Sequence, residues 1–184
     1  ANSGTFVVVA DDVAARLRDI EMHKCVARIV ANSSYIKNEL LMNGLPENKI
    51  SVLAPLPGDM ETELQEYPQN SSEILFVGQL VRGKGVDLLL KALRRVKADW
   101  RLKIVGDGNM RAALERMTRT LGLTGRVNFM GALSHDEVSE LYGKAALAAL
   151  PSRWAEPFGM VGLEAMAAAR PVVAFAVGGI NDWL

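Results

Sequence analysis

From residue 73 onward the sequence predicts an α/β fold, a parallel sheet with helices on both faces. Three observations predict it. Short apolar runs of strand length recur at 73–77, 101–105, 127–130, 145–150 and 171–176. Segments of helical period separate them, at 86–96, 110–121, 134–142 and 159–168. Glycine-bearing loops follow the strands, as expected where a parallel sheet presents its carboxyl ends to a ligand. Connections of this length close as right-handed crossovers, which sets successive strands parallel.

Taken in order, the chain opens with a helical pattern at 13–24 and a short apolar strand at 27–31. Asn32 or Ser33 can cap the helix predicted at 35–42, and Asn43-Gly44 ends it. A second strand follows at 49–54. Pro55-Leu56-Pro57-Gly58 then leads into a polar, acidic run through Ser72, the best linker in the sequence. This gives three parts: 1–57, a linker at 58–72, and the regular α/β region at 73–184. Within that region Gly122 stops the helix at 110–121. Ser134 starts the next one, with Glu137 three residues on as its capping-box partner.

Composition narrows the function classes. Of 184 residues 49% are hydrophobic, enough for a real core. Lys plus Arg and Asp plus Glu both number 21, so no basic excess favours nucleic acid or an anionic membrane as the main partner. The single cysteine, Cys25, reads as a small buried hydrophobe in a reducing, cytoplasmic setting. The apolar start at 6–10 is too short and lacks the basic flank of a secretory leader. The longest apolar stretch, 160–179, is broken by Glu164, Arg170 and Pro171, unlike a membrane span. The chain begins without Met and stops at what reads as the start of an element, so we expect a fragment.

Four loops carry candidate chemistry. Gly78-Gln79-Leu80-Val81-Arg82-Gly83-Lys84-Gly85 joins a strand to a helix, where glycines admit backbone N–H groups to an anion and Lys84 adds a charge. A solvated turn explains that loop equally well on its own. Val105-Gly106-Asp107-Gly108 is a tight turn in which Asp107 either accepts a ligand hydroxyl or, as we expect first, caps the next helix. The third, Pro151-Ser152-Arg153-Trp154-Ala155-Glu156-Pro157-Phe158-Gly159-Met160-Val161-Gly162-Leu163-Glu164, is the most informative. Glu156 precedes proline and is therefore extended. A helix starting near Gly159 exposes the N–H groups of Phe158 to Val161. Glu164 lies more than a turn inside it. Two carboxylates thus flank an anion-binding helix end, suited to a diphosphate and to sugar hydroxyls. The fourth, Phe175-Ala176-Val177-Gly178-Gly179, ends a strand with two glycines fit for close backbone approach.

Together these motifs resemble the donor-binding, Rossmann-like C-terminal domain of glycosyltransferase family 4, the retaining group with the GT-B fold. The resemblance is weak over Arg28-Ile29-Val30-Ala31-Asn32-Ser33, similar to the end of that family's N-terminal domain, and strong from Ile74 to Gly179. It implies transfer of a sugar from a nucleotide-diphosphate donor, UDP- or GDP-linked, with no resident cofactor or metal. The implied acceptor is a saccharide, lipid or small molecule, and peripheral membrane association would come through the N-terminal domain. It also implies roles. Lys84 would neutralise the diphosphate, with Gly78, Gln79 and Arg82 beside it. Glu156 would contact the transferred sugar. The N–H groups of Phe158, Gly159 and Met160 would hold sugar and phosphate, with Val161 next in line. Glu164 would accept from the ribose hydroxyls. The segment Val127–Gly131, including Met130, would lie along the base.

Three residues depart from the family pattern. Gln79 stands where an arginine is usual, leaving Arg82 to substitute. Ala169 replaces a glycine, at a cost of about 1 kcal/mol if its backbone is left-handed. Asp182 stands where glutamate is common. The family's acceptor site and catalytic-region histidine would lie in the N-terminal domain, mostly outside this chain. His23 is expected to be a surface or packing residue and His135, near a helix start, a solvated one. Competing readings are a binding fragment without turnover, a glycoside hydrolase using Glu156 and Glu164, and a sugar-nucleotide epimerase.

Overall fold

A computed structural model of the chain describes residues 21–57, 67–68 and 70–184. Most of the expected helix at 13–24 and of the linker at 58–72 lies outside these residues. The chain divides into two compact units, Ala1–Ala54 and Pro55–Leu184.

In the first unit residues 21–25 are helical. Two short parallel strands follow, β1 (Ile29–Ala31) and β2 (Ile50–Val52), paired Ile29 to Ile50. Between them lies α1 (Ser34–Met42). Ser33, not Asn32, caps it by accepting from the Ile36 N–H at 3.1 Å. Gly44 turns left-handed at its end (φ 81°), as the Asn-Gly pair predicts. Ala31, Leu45 and Ile50 make a small core. Cys25 corrects its expectation: it is exposed, in the last turn of the helical segment, with Sγ 3.7 Å from the Glu21 carbonyl. That cluster does not reach it. His23 and His135 are exposed, as expected.

The second unit is the α/β region. Its strands are β3 (Glu73–Val77), β4 (Arg101–Val105), β5 (Val127–Gly131), β6 (Leu147–Leu150) and β7 (Val172–Ala174). Its helices are α2 (Val86–Leu93), α3 (Arg111–Thr120), α4 (His135–Lys144) and α5 (Met160–Ala167). All strand pairs are parallel, in the order β5-β4-β3-β6-β7. Alternation along β3 separates two cores. Leu75 joins Val138, Leu141, Tyr142 and Ala165 from α4 and α5. Phe76 joins Val86, Leu90 and Leu114 from α2 and α3. A period of two therefore places one helix pair on each face.

Differences at element ends have local causes. β6 starts after Ala145 because that residue's N–H still closes α4, donating to Leu141 and Tyr142. β7 starts at Val172 because Pro171 has no N–H, though its carbonyl accepts from Ala148. α2 tightens after Leu93, where the Arg95 and Val96 N–H groups reach back only three residues. The α4 capping box forms in full, Ser134 and Glu137 each bonding the other's backbone N–H. Of the expected linker, Tyr67 and Ser71 bond the carbonyls of Ala146 and Lys144 within this unit.

Candidate functional site

The strand order reverses between β3 and β6, and loops leaving the carboxyl ends of such neighbours open a crevice. The first and third of the sequence motifs follow these two strands and lie side by side. Backbone bonds hold them together: the Arg153 N–H donates to the Gly83 carbonyl at 2.8 Å. The Arg153 guanidinium donates to the Arg82 carbonyl at 2.6 Å and to Asp87 at 3.1 Å. At Gly85, left-handed at φ 71°, any Cβ would collide with the Pro151 carbonyl, so glycine is required for the two loops to meet.

Glu156 and Lys84, 72 residues apart in sequence, meet here. Lys84 Nζ lies 2.7 Å from Glu156 Oε1. The same oxygen accepts from Ser152 Oγ at 2.5 Å and from Trp154 Nε1 at 2.9 Å. Glu156 is only 6% exposed. Burial raises its pKa, but hydrogen bonds from Lys84, Ser152 and Trp154, with the Lys84 charge, outweigh it and hold the carboxyl below its ordinary value. All three donors crowd one oxygen. Among the described residues, none engages Oε2. The Trp154 indole also lies across Gly83, with its ring centre 5.3 Å from Lys84 Nζ, a cation–π distance.

The fourth motif closes the crevice from β7. The Gly179 N–H donates to the Glu156 carbonyl at 2.7 Å, and a side chain at Gly178 (φ 56°) would strike the Glu156 backbone. Beyond it the chain forms a short turn, Gly178–Asp182. Trp183 then covers Gly162, its indole N–H on the Phe158 carbonyl at 2.6 Å.

The other sequence-derived residues spread around this centre. Gly159 is left-handed at φ 84° and stands at the start of α5, followed by Met160 and Val161. The first N–H groups of any helix lack intrahelical acceptors, so this end favours an anion. Phe158 is buried, and Val161 packs on the core. Glu164 is the fifth residue of α5, about 6 Å along the axis from Met160. Its Oε2 accepts from Tyr142 Oη at 3.3 Å. Burial first, then the Glu164 charge, pushes the Tyr142 pKa far up. Gln79 and Arg82 are exposed on the β3 loop. Met130 packs partly buried against the α4–α5 core.

Gly78 and Asp107 meet in a backbone zipper. Gly78 N–H donates to Val105, Leu80 N–H to Asp107, and Met110 N–H to Leu80. Asp107 does not cap α3, correcting our first expectation, because the cap position falls on Met110 with no side-chain cap. It accepts instead from the Gly108 N–H at 2.7 Å and from Arg111 at 3.0 Å, which lower its pKa in that order. Ser152, Trp154, Arg153 and Tyr142 take part in the site without having been singled out by sequence reasoning. The first three stand in the quoted motif, while Tyr142 carries no local signal. Among the described residues no cluster of three His, Cys, Asp or Glu is arranged to hold a metal, and no helix is long and apolar enough to cross a membrane.

The profile of the family described as glycosyl transferases group 1 matches residues 60–184. An uncharacterized glycosyltransferase of Methanocaldococcus jannaschii is 33% identical over 171 residues, covering 84% of this chain and 44% of that protein. An alpha-D-kanosaminyltransferase of Streptomyces kanamyceticus is 38% identical over 151 residues, covering 74% of this chain and 39% of its own length. The chain thus spans less than half the length of these relatives. The lipopolysaccharide outer core galactosyltransferase WaaB superposes with a TM-score of 0.75 at 28% identity, over 91% of this chain and 49% of that one. Anabaena HepE, solved with UDP and glucose, superposes with a TM-score of 0.79 at 24% identity, over 92% of this chain and 50% of that one, a likeness of fold. With its parallel sheet of GT-B type and a profile match across most of its length, the chain belongs to the group 1 glycosyl transferases.

Proposed function

We propose that this chain is the donor-binding part of a retaining glycosyltransferase of the family 4 kind, taking a hexose from a UDP- or GDP-linked donor to a saccharide, lipid or small-molecule acceptor. The observation that carries the reading is the meeting of Lys84 and Glu156 at the point where the strand order reverses. When the anomeric C–O bond breaks, its electron pair leaves with the nucleoside diphosphate. Negative charge grows on phosphate oxygen and positive charge on the sugar ring. Lys84 and the start of α5 suit the first, and the carboxylate of Glu156 suits the second. In this reading Oε2 accepts a sugar hydroxyl while Oε1 stays anchored by its three donors. Glu164, held by Tyr142, is assigned to the ribose, and Val127–Gly131 to the base. The work takes place in the cytoplasm or at the cytoplasmic face of a membrane.

The hydrolase reading needs one carboxyl of the pair to keep a proton near neutrality. Glu156 is held in the opposite sense. A second reading, binding without turnover by this chain alone, is favoured by its covering less than half of its relatives. Titration with UDP-, GDP- and ADP-sugars tests the main reading: one base and sugar should bind best, and more tightly than free sugar. Equal, weak binding of all of them overturns it. Turnover by the intact protein but not by the 184 residues would select the second reading for the chain itself.

A further inference from the structure

The net charge of zero conceals a strong polarity. Residues 91–126 carry ten Lys and Arg against three Asp and Glu. Three segments of this stretch line a cleft of about 590 Å³: Arg94, Arg95 and Lys97 after α2, Leu121 to Leu123 after α3, and Arg126 before β5. The cleft lies at the amino ends of β4 and β5. It is thus at the opposite end of the sheet from Lys84 and Glu156, by roughly 16 Å of strand.

Two features set the cleft apart from an ordinary solvated face. Arg126 is held in place: its guanidinium stacks 3.9 Å from the Trp100 ring centre, Nε bonds the Trp100 carbonyl, and Nη2 bonds the Ala98 carbonyl. A guanidinium fixed in this way gives up little freedom when it binds a planar or tetrahedral oxyanion. Its only carboxylate neighbour among the described residues, Asp99, is 3.8 Å away and 84% exposed, a weak competitor. The side chains of Arg94, Arg95 and Lys97 make no hydrogen bond or ion pair among the described residues. Elsewhere in the same stretch, Lys103 and Arg111 are paired with acids. The negative ends of α2 and α3 favour a cation or two nearby, but four converging on one cleft exceed what those ends call for.

We propose that this cleft is a second anion site, separate from the donor crevice, and that it takes phosphoryl groups, either free in solution or on lipid headgroups. Arginine forks match phosphate oxygens in pairs, and four cations suit a multiply charged anion. The proposal does not rest on the donor reading.

Calorimetric titration of the intact protein with inorganic pyrophosphate tests it. Two classes of site are expected, one lost in Lys84→Ala and the other in the double variant Arg95→Ser/Lys97→Ser. Both residues of that variant are exposed, lie beyond the end of α2, and have no side-chain partner among the described residues whose loss would disturb the fold. The second class should weaken by at least about tenfold. In a parallel arm, the protein is sedimented with phosphatidylcholine vesicles with and without phosphatidylglycerol. Binding to the anionic vesicles that the double variant loses assigns the site to headgroups. Pyrophosphate binding without vesicle binding assigns it to a soluble phosphate. If the double variant changes neither pyrophosphate nor vesicle binding, the proposal is overturned. If instead no class depends on Lys84, the donor reading fails and this one stands.

Discussion

Glu156→Gln should destabilise the ligand-free protein and yet tighten its hold on a nucleoside diphosphate. In the structure Lys84 is not idle: Glu156 Oε1 holds it at 2.7 Å. A hydrogen bond to a charged partner contributes about 1.5–3 kcal/mol and a neutral one about 0.5–1.5, so the amide weakens the grip on Lys84 by about 1 kcal/mol. The bonds from Ser152 and Trp154 also survive in neutral form, and the summed loss is about 2 kcal/mol. For a chain of this size that lowers Tm by about 4–8 °C. A diphosphate that must draw Lys84 away from its carboxylate then meets about 1 kcal/mol less opposition. Affinity for UDP or GDP rises roughly fivefold, while affinity for the sugar nucleotide falls, because the sugar loses its carboxylate. Calorimetry with both ligands, together with thermal melts, reads all three quantities. The tightening should vanish in a Lys84→Ala/Glu156→Gln double variant, since the two residues act through one contact. If Glu156→Gln weakens UDP as much as it weakens the sugar nucleotide, the competition for Lys84 is not real.

Lys84→Ala should weaken UDP by about 1.5–3 kcal/mol, roughly 10- to 150-fold, and leave uridine nearly unchanged; equal losses would remove Lys84 from the diphosphate. Ala169→Gly should raise Tm by about 2–4 °C, because Ala169 sits at φ 57° in the turn that ends α5 and a left-handed alanine costs about 1 kcal/mol; a lower Tm would show that the strain is relieved elsewhere. The depressed pKa of Glu156 also sets a pH dependence. The stability it contributes is present above the ordinary carboxylate pKa and is lost as pH falls through the lower folded value. Acid melts of Glu156→Gln should therefore fall less steeply than those of the parent, and parallel curves would contradict the assignment.

The elements legible in the sequence are those whose cause is local. β3 and β4 begin and end where the apolar runs do, and the Ser134–Glu137 box forms because both partners lie within one turn. Ala169, which stands where the resemblance expects glycine, is left-handed at φ 57°. What stayed hidden depends on distance. The contact of Lys84 with Glu156 exists because β3 and β6 are neighbours in space, which the motifs suggest only as a shared ligand. The pairing that keeps Lys84 occupied without a ligand follows from side-chain reach, not spacing. Ser152 and Trp154 stand beside Glu156 in the sequence, but alternation gives no sign that their donors converge on one oxygen. Asp107 misled because Asp before a helix signals a cap, whereas here the helix starts four residues later. Net charge is silent on the basic stretch at 91–126, because a zero sum says nothing about where the charges sit.

The rim of the crevice is sewn together by main-chain atoms: Gly78 to Val105, Leu80 to Asp107, Gly106 to Gly131, Arg153 to Gly83, Gly179 to Glu156. Every amino acid but proline carries those donors and acceptors. The loop tips therefore keep their spacing with any side chain but proline's, and the exposed Gln79 or Arg82 can be exchanged without moving the frame. Such a rim can drift in preference one residue at a time, trading one base or sugar for another through side chains alone. The positions closed to drift are those where the stitched backbone leaves no room for a Cβ: Gly85 beneath Pro151, Gly106 against Gly78, Gly108 against Leu80 and Gly178 against Glu156. An engineer seeking a new donor preference would hold those four constant and vary the exposed tips around them.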